Sequence, residues 1–198
     1  LFRSTKFIRM KKINYLLALM LTAISFGLSA QVQKVNTEKS TVHWLGKKIG
    51  GQHEGYIKVK SGSIELKNNN IAAGEFTIDM NSISCTDLED AGYNEKLIGH
   101  LKSDDFFGVA NFSSAKLKIL TASIFSNNKT SVKAELTIKG KTESITFNVT
   151  KNKNLYTAKI NVDRSKFDVK YGSTSFFDSL GDKAIDDIFV LDIKLAVN

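Results

Sequence analysis

Residues 130–162 contain three consecutive runs in which apolar and polar side chains alternate. The apolar positions are Val132, Ala134, Leu136 and Ile138, then Ile145, Phe147 and Val149, then Tyr156, Ala158, Ile160 and Val162. A period of two gives each strand one apolar face and one wetted face. The short polar connections between the runs predict an antiparallel meander. Such a ribbon must cover its apolar face, and what covers that face decides the function.

The same alternation continues on both sides of this segment and predicts eight or nine strands in total. Its inward rows include Val42 and Trp44 near the start and the row from Phe189 to Val197 at the end. A turn is predicted at Ser61 and Gly62. Residues 82–107 break the period, and the spacing of Leu97, Ile98 and Leu101 predicts a short helix over residues 94–102.

An all-β fold follows, because one or two short helices cannot cover so large a sheet. Two packed sheets or one closed sheet would each bury the apolar face, and the short sequential turns favour an up-and-down barrel of about eight strands. A barrel of this size is either filled by its own side chains or holds one slender ligand. Ala134 and Ala158 are small for mid-strand positions in a packed core, which favours a hollow interior.

The N-terminal segment has the pattern of an export signal. Positive charge at Met10–Lys12, an apolar run and small residues up to Ala30 predict a signal peptide over residues 1–30, with the start before Met10 mis-assigned. Residues 31–198 then form a single domain that is periplasmic or secreted. The single Cys85 excludes an internal disulfide and is interpreted as an inert thiol.

The charge of the chain gives no support to nucleic-acid binding. Five of the 28 Lys and Arg residues and none of the 20 acidic ones lie in residues 1–30, which leaves 23 basic against 20 acidic residues. The remaining lysines stand singly on strand faces, whereas nucleic-acid binders cluster them on one face. No nucleic-acid partner is expected.

No catalytic motif stands out. Gly140-Lys141-Thr142 lacks the upstream glycine and the following helix of a phosphate-binding loop, so it is interpreted as a hairpin turn. No Gly-x-Ser-x-Gly elbow is present. His43, His53 and His100 lack the close pairing of metal ligands, so neither a metal site nor a cofactor is predicted.

Several motifs in a fixed order resemble one known family. They are Ser40-x-Val42-x-Trp44-x-Gly46-x-Lys48, Gly51-x-His53-x-Gly55, Ile78-Asp79-Met80-x-Ser82-Ile83, Lys96-Leu97-x-Gly99-His100-Leu101-Lys102-Ser103-x-Asp105-Phe106-Phe107-x-Val109, Leu136-Thr137-Ile138-Lys139-Gly140-Lys141-Thr142 and Arg164-Ser165-x-Phe167-x-Val169. This set resembles the YceI-like family of exported, lipocalin-like barrels that bind polyisoprenoids. Gly108 and Ser113 depart from the family pattern, where an acidic residue and a proline are usual.

The resemblance implies a non-enzymatic protein whose lumen takes an amphipathic isoprenoid lipid, such as an isoprenoid quinone or a polyprenol. The residues expected to line that lumen are Val42, Trp44, Ile57, Phe76, Ile78, Met80, Leu97, Leu101, Phe106, Phe112, Leu117, Ala134, Leu136, Phe147, Ala158, Ile160, Phe167, Phe189 and Leu191. His53 and His100 are candidates for contact with the lipid head group, although a structural hydrogen-bonding role is favoured for both.

Two other functions stay open at this stage. An enzyme acting on a hydrophobic substrate predicts a convergent polar cluster inside the lumen. A solidly packed barrel would act through surface contacts with a partner. A lipid carrier would also contact a membrane transiently, with residues 82–107 as the candidate lid. Homodimer formation is left undecided.

Overall fold

A computed structural model of the protein describes residues 30–198, so residues 1–29 of the predicted signal peptide lie outside the described part of the chain. The strands are β1 (Gln31–Lys34), β2 (Thr41–Lys48), β3 (Gly51–Lys67), β4 (Asn70–Cys85), β5 (Ser114–Ala122), β6 (Lys129–Ile138), β7 (Lys141–Asn152), β8 (Leu155–Asp163) and β9 (Ile188–Ala196). One α-helix, α1 (Ala91–Lys102), and two 3-10 helices, Arg164–Phe167 and Gly181–Lys183, complete the described elements.

The strands form one closed antiparallel sheet. From β2 to β9 each strand pairs with the next one in the chain, and β9 pairs back onto β2. Strands β1 and β2 both pair with β3, at residues 63–66 and 51–57 respectively, so they share one position around the barrel. The predicted all-β, up-and-down, lipocalin-like barrel of eight strands is confirmed.

Tight hairpins join neighbouring strands and fix their register. Asn68 and Asn69 connect β3 to β4 at φ 51° and 61°, and Lys139 and Gly140 connect β6 to β7 at φ 49° and 74°. Two successive positive φ values define the type I′ turn, whose twist matches that of the strands it joins. Asn and Gly are favoured in such turns because they tolerate a positive φ. The chain contains no proline, so its turns depend on residues of this kind.

The turn predicted at Ser61 and Gly62 is wrong. Strand β3 runs through this point without a break, although its register against β4 shifts between Val59 and Ser61. Gly62 is required for packing: a Cβ atom there would lie 2.7 Å from Cδ1 of Phe76. The glycine therefore marks a close approach of a ring to the backbone, which a sequence pattern cannot distinguish from a turn.

Helix α1 occupies the position predicted from the spacing of its apolar residues, and it begins three residues earlier than expected. The side chain of Asp90 caps it by accepting a hydrogen bond from the amide of Tyr93 at 2.9 Å. The helix packs beside the end of β4. Among the described residues, no helix is both long enough and apolar enough to cross a bilayer.

The barrel wall is incomplete between β7 and β8. These strands pair only from Val149 opposite Ala158 to Asn152 opposite Leu155, next to their connecting turn. Beyond Val149 the two strands diverge, and the 3-10 helix Arg164–Phe167 lies against β7. This segment therefore helps to cover the wall where the sheet ladder stops.

The interior has one densely packed end. We call it the closed end and define it by Val35, Leu66, Val132, Ala134 and Val197, all of which are buried. Tyr156 reaches into this region and donates a hydrogen bond to Oε1 of Gln33 at 2.8 Å. A buried hydroxyl needs such a partner, and this one ties β8 to β1 across the closed end.

Candidate ligand-binding cavity

An apolar cavity runs inside the barrel from the closed end towards the opposite opening. Its volume is about 200 Å³ for the centres of water-sized molecules. Ile64, Ile71 and Tyr156 lie at the closed end of the cavity, and Phe107 and Ile185 lie at the other. The barrel is hollow, and the space extends along it, because residues from both hydrophobic clusters line it.

The exposure of inward-facing side chains shows that the cavity can be reached from outside. Val132 and Ala134, on the same strand face, are both 0% exposed. Leu117, Phe147 and Leu191 also line the interior but are only half-buried. Side chains in a filled core would all be covered by neighbours, so the half-buried positions border accessible space.

Most of the residues predicted to line the lumen do line this cavity. They are Val42, Trp44, Ile57, Phe76, Ile78, Met80, Leu101, Phe106, Leu117, Leu136, Phe147, Ala158, Ile160, Phe189 and Leu191. Their positions follow from the period of two in strands whose register the hairpins fix. Contact of these residues with a ligand stays a prediction.

Four predicted residues do not line the cavity. Phe112 lies on the outside, 36% exposed, where it covers Gly108 and Gly140. Ala134 is enclosed by its neighbours at the closed end. Phe167 is buried in the cluster behind the 3-10 helix, and Leu97 of α1 packs against the same cluster.

The sequence analysis also missed part of the wall. Ile193 and Leu195 belong to the inward row predicted from Phe189 to Val197 but were not included among the expected lumen residues. Val59, Ile64 and Ile71 also belong to strand rows and could have been included from the alternation. Arg164, Ile185 and Asp186 come from irregular segments, where no period indicates which side chain faces inward. These three, with Phe106 and Phe107, lie at the open end of the cavity, which we call the mouth.

One buried arginine holds the loops of the mouth together. Arg164 is 2% exposed. Its Nε donates to the carbonyl of Asp186, its Nη1 to those of Val169 and Tyr171, and its Nη2 to that of Ile185, at 2.8–3.0 Å. Nη2 also lies 3.5 Å from Oδ1 of Asp187. The planar guanidinium thus joins both ends of the segment that connects the 3-10 helix Arg164–Phe167 to β9.

Electrostatics at the mouth agree with this geometry. Burial lowers the pKa of Arg164, and the nearby carboxylates of Asp187, Asp163 and Asp186 oppose that shift. Burial raises the pKa of Asp187, but hydrogen bonds from Ser173 and Ser175 and the charge of Arg164 outweigh it, so the pKa falls below its usual value. The charged forms of both groups are therefore the stable ones at neutral pH.

The two histidines proposed for head-group contact lie near the mouth but not on the cavity wall. The ring of His100 meets Tyr171 edge-on, with centroids 4.3 Å apart, and Phe106 at 5.8 Å. It therefore links α1 to the loop after the 3-10 helix. Nδ1 of His53 lies 2.8 Å from Oδ2 of Asp87, beyond the end of β4.

The surroundings of Asp87 favour its ionised form. Burial opposes ionisation, but hydrogen bonds from the amide of Glu54 and from His53 and Cys85 outweigh it and lower the pKa of Asp87 to about 2. Burial and the hydrogen bond to Asp87 raise the pKa of the Cys85 thiol. Cys85 is thus a protonated donor to a carboxylate.

This arrangement can enclose a long apolar molecule. The apolar walls can bury an apolar chain in many orientations, because the hydrophobic effect is non-directional. The N–H groups of Arg164 at the mouth already donate hydrogen bonds to backbone carbonyls. A closed antiparallel up-and-down barrel around such a cavity defines the lipocalin-like class of proteins.

The chain belongs to the YceI-like domain family, whose model matches residues 33–197. This match confirms the resemblance found from the sequence motifs and spans nearly all of the described chain. No curated protein matches the chain in sequence.

Solved structures share the fold. Burkholderia cenocepacia BcnA is 25% identical, with a TM-score of 0.66, over 83% of this chain and 99% of that protein. A polyisoprenoid binding domain from Saccharophagus degradans, implicated in plant cell wall breakdown, is 14% identical with a TM-score of 0.58, over 86% of this chain and 99% of that one. A mutant of the Campylobacter jejuni YceI protein is 20% identical with a TM-score of 0.52, over 71% and 82% of the two chains.

Proposed function

We propose that this protein is an exported carrier or store of an isoprenoid lipid, whose chain lies in the barrel cavity. The observation that carries the proposal is the elongated apolar cavity with half-buried inward side chains. The polyisoprenoid binding domain of Saccharophagus degradans, which has the same fold, supports the ligand class. An isoprenoid quinone and a polyprenol both have the required shape: one long apolar chain and one polar end.

The energetics of burial are sufficient for binding. Each CH₂-sized group removed from water contributes roughly 0.8 kcal/mol, so about twenty carbons contribute on the order of 15 kcal/mol. Association costs about 4–15 kcal/mol in lost freedom, which leaves net binding between weak and tight. A lipid taken from a bilayer gains much less, because it was never in water. Loading therefore requires the mouth to contact the membrane directly.

The surface around the mouth suits such a contact. Tyr171, Phe176 and Phe177 are 47%, 42% and 49% exposed on the loop that Arg164 anchors, and Ile49 is 54% exposed on the adjacent turn. The amide of Ile49 donates to the carbonyl of Ala184, so the turn and the loop are joined. Aromatic residues are favoured at membrane interfaces. We therefore include this loop, together with residues 82–107, in the proposed lid.

Mass spectrometry of organic extracts tests the ligand class most directly. The protein is purified without detergent from its native compartment, and Ala158→Leu, which narrows the cavity, is extracted in parallel. We expect an isoprenoid lipid near one molecule per chain with the wild type and a large loss with the variant. Extracts that contain no isoprenoid lipid, together with no affinity for added quinones or polyprenols, would contradict the proposal. Sedimentation of the same sample also measures whether two copies associate.

A further inference from the structure

Three side chains with metal-binding donor atoms meet near the mouth. Sγ of Cys85, at the end of β4, lies 3.2 Å from Oδ1 of Asp87. Nδ1 of His53, in β3, lies 2.8 Å from Oδ2 of the same carboxylate. The donor atoms of the three residues all lie within 4.8 Å of one another. One nitrogen, one sulfur and the two oxygens of one carboxylate are thus gathered in one cluster.

The spacing of these atoms is close to that of a metal site. Zinc bonds of about 2.0–2.3 Å at tetrahedral angles place neighbouring ligand atoms roughly 3.3–3.6 Å apart. The two hydrogen-bonded distances, 2.8 and 3.2 Å, run to different oxygens of Asp87, and they need to lengthen by less than 1 Å when this carboxylate binds the ion through both oxygens. All donor atoms lie within 4.8 Å of one another, so the remaining pair, Sγ of Cys85 and the His53 nitrogen, has to close by at most about 1.5 Å. Protons now bridge these contacts, and a cation can replace them.

Neighbouring groups hold the donors in place, and the cluster is open to solvent. The amide of Glu54 donates to Oδ1 of Asp87 at 2.8 Å, and Nδ2 of Asn94 donates to the carbonyl of Cys85 at 3.1 Å. The side chains of His53 and Asp87 keep 28% and 27% of their surface exposed, so solvent can reach the cluster. Such outer hydrogen bonds orient metal ligands in known sites.

We infer that His53, Cys85 and Asp87 form a binding site for a borderline divalent transition-metal ion, Zn²⁺ in particular. A nitrogen, a thiolate sulfur and a carboxylate oxygen suit Zn²⁺, whereas Mg²⁺ and Ca²⁺ prefer oxygen ligands alone. The fourth position faces solvent and takes water. When the ion binds, the Cys85 thiol releases its proton to solvent. Nδ1 of His53 also gives up its proton to solvent, and the neutral ring that coordinates carries its one proton on Nε2.

The arrangement differs from that of a catalytic thiol. A cysteine nucleophile needs a histidine beside it as the base, with the carboxylate orienting the histidine from the other side. Here the carboxylate of Asp87 lies between the thiol and the imidazole and accepts from both. No metal site was predicted from the sequence, because His43, His53 and His100 lack close pairing. His53 and Asp87 stand 34 residues apart, and the pairing of β3 with β4 brings them together. This inference does not depend on the lipid-binding proposal.

Cobalt spectroscopy of the purified protein tests the site. The protein is treated with a chelator and a phosphine reductant, then titrated with Co²⁺ and afterwards with Zn²⁺. We expect saturation at one ion per chain, a near-ultraviolet charge-transfer band from thiolate to Co²⁺, and loss of that band when Zn²⁺ is added. Absence of the band in the wild-type protein overturns the inference, whatever any variant does.

Variants then assign the ligands. Cys85→Ser should abolish the band, and His53→Gln should weaken Zn²⁺ binding at least about tenfold. His43→Gln is the matched control, because His43 also has a carboxylate nearby, with Nε2 3.4 Å from Oε2 of Glu54, but lies outside the cluster. The control should bind like the wild type. Unchanged Zn²⁺ affinity in folded Cys85→Ser, checked by circular dichroism, would overturn the assignment.

Discussion

The closed end and the mouth of the barrel are built in different ways. The closed end consists of strand residues whose side chains fill the space between them, as the full burial of Val132 and Ala134 shows. The mouth consists of a helix and loops that meet around Arg164, whose donors bind four backbone carbonyls. Side-chain packing therefore stabilises the closed end, whereas the hydrogen bonds of the Arg164 guanidinium stabilise the mouth.

This difference suits a barrel that binds a ligand through one end only. An end closed by packing cannot open without losing apolar burial, whereas loops held by one side chain can separate while the sheet stays intact. We therefore expect the mouth, including the neighbouring gap between β7 and β8, to be where a ligand enters.

Replacing the central cation should weaken the mouth most. Arg164→Met keeps an unbranched chain but leaves four carbonyls and Asp187 without their partner. We expect the free energy of unfolding to fall by about 3–5 kcal/mol in denaturant titrations. The control is Lys166→Met, an exposed position in the same 3-10 helix, which should change stability by less than about 0.5 kcal/mol. Equal effects in the two variants would refute the role given to Arg164.

The same substitution at two alanines should distinguish the packed closed end from the hollow part of the barrel. Ala134→Leu adds three carbons where no space remains, so it should destabilise the fold by about 1–3 kcal/mol through overpacking. Ala158→Leu adds the same atoms beside the cavity, so it should change stability by less than about 1 kcal/mol but lower lipid affinity about tenfold or more. Chemical denaturation and lipid titration measure the two quantities. If Ala134→Leu is stabilising, the closed end is not packed as described.

Exposed aromatic residues at the mouth should matter for membrane contact. Phe176→Ser with Phe177→Ser removes apolar surface at the mouth, and we expect about tenfold weaker binding to phosphatidylcholine vesicles in a flotation assay. Ile124→Ser is the control, since Ile124 is 78% exposed in the connection between β5 and β6, at the closed end. A similar loss with the control would show that membrane contact is not specific to the mouth.

The smallest expected effect is a pH-dependent loss of stability that involves Asp187 and appears at acidic pH. The pKa of Asp187 is lowered in the folded protein, so this carboxylate contributes stability above its unfolded pKa of about 3.9, and the contribution is lost as pH falls through the folded value. Asp187→Asn should be less stable than the wild type at pH 7, and the difference should shrink below about pH 4. Thermal unfolding across this range measures it. A difference that is independent of pH would argue against a charged Asp187 at the mouth.

The sequence predicted the barrel because alternation and turn residues are local signals. The period of two in residues 130–162 assigned Leu136, Phe147 and Ile160 to the inward face, and the structure places them on the cavity wall. The spacing in residues 94–102 likewise predicted α1, and its first three residues and its capping residue, Asp90, were missed.

What the sequence could not predict depends on contacts between distant residues. Ala134 and Ala158 look equivalent in their strands, and only the neighbours across the barrel make one packed and the other open. In residues 172–187 nothing in the local sequence shows that Arg164 would hold Ile185 and Asp186 against the cavity. The cluster of His53, Cys85 and Asp87 arises in the same way, from the pairing of β3 with β4.

Fluorescence of the single tryptophan gives the most direct test of a lipid chain in the cavity. Trp44 lines the cavity, and its indole Nε1 donates to the carbonyl of Ser84 at 3.0 Å, so a bound quinone would lie close enough to quench it. Titration with a long-chain isoprenoid quinone should quench Trp44 saturably at one quinone per chain, and a tail-less quinone or the Ala158→Leu variant should show little quenching. Equal quenching by the quinones with and without a tail, or no saturable quenching at all, would contradict binding of an isoprenoid chain in the barrel.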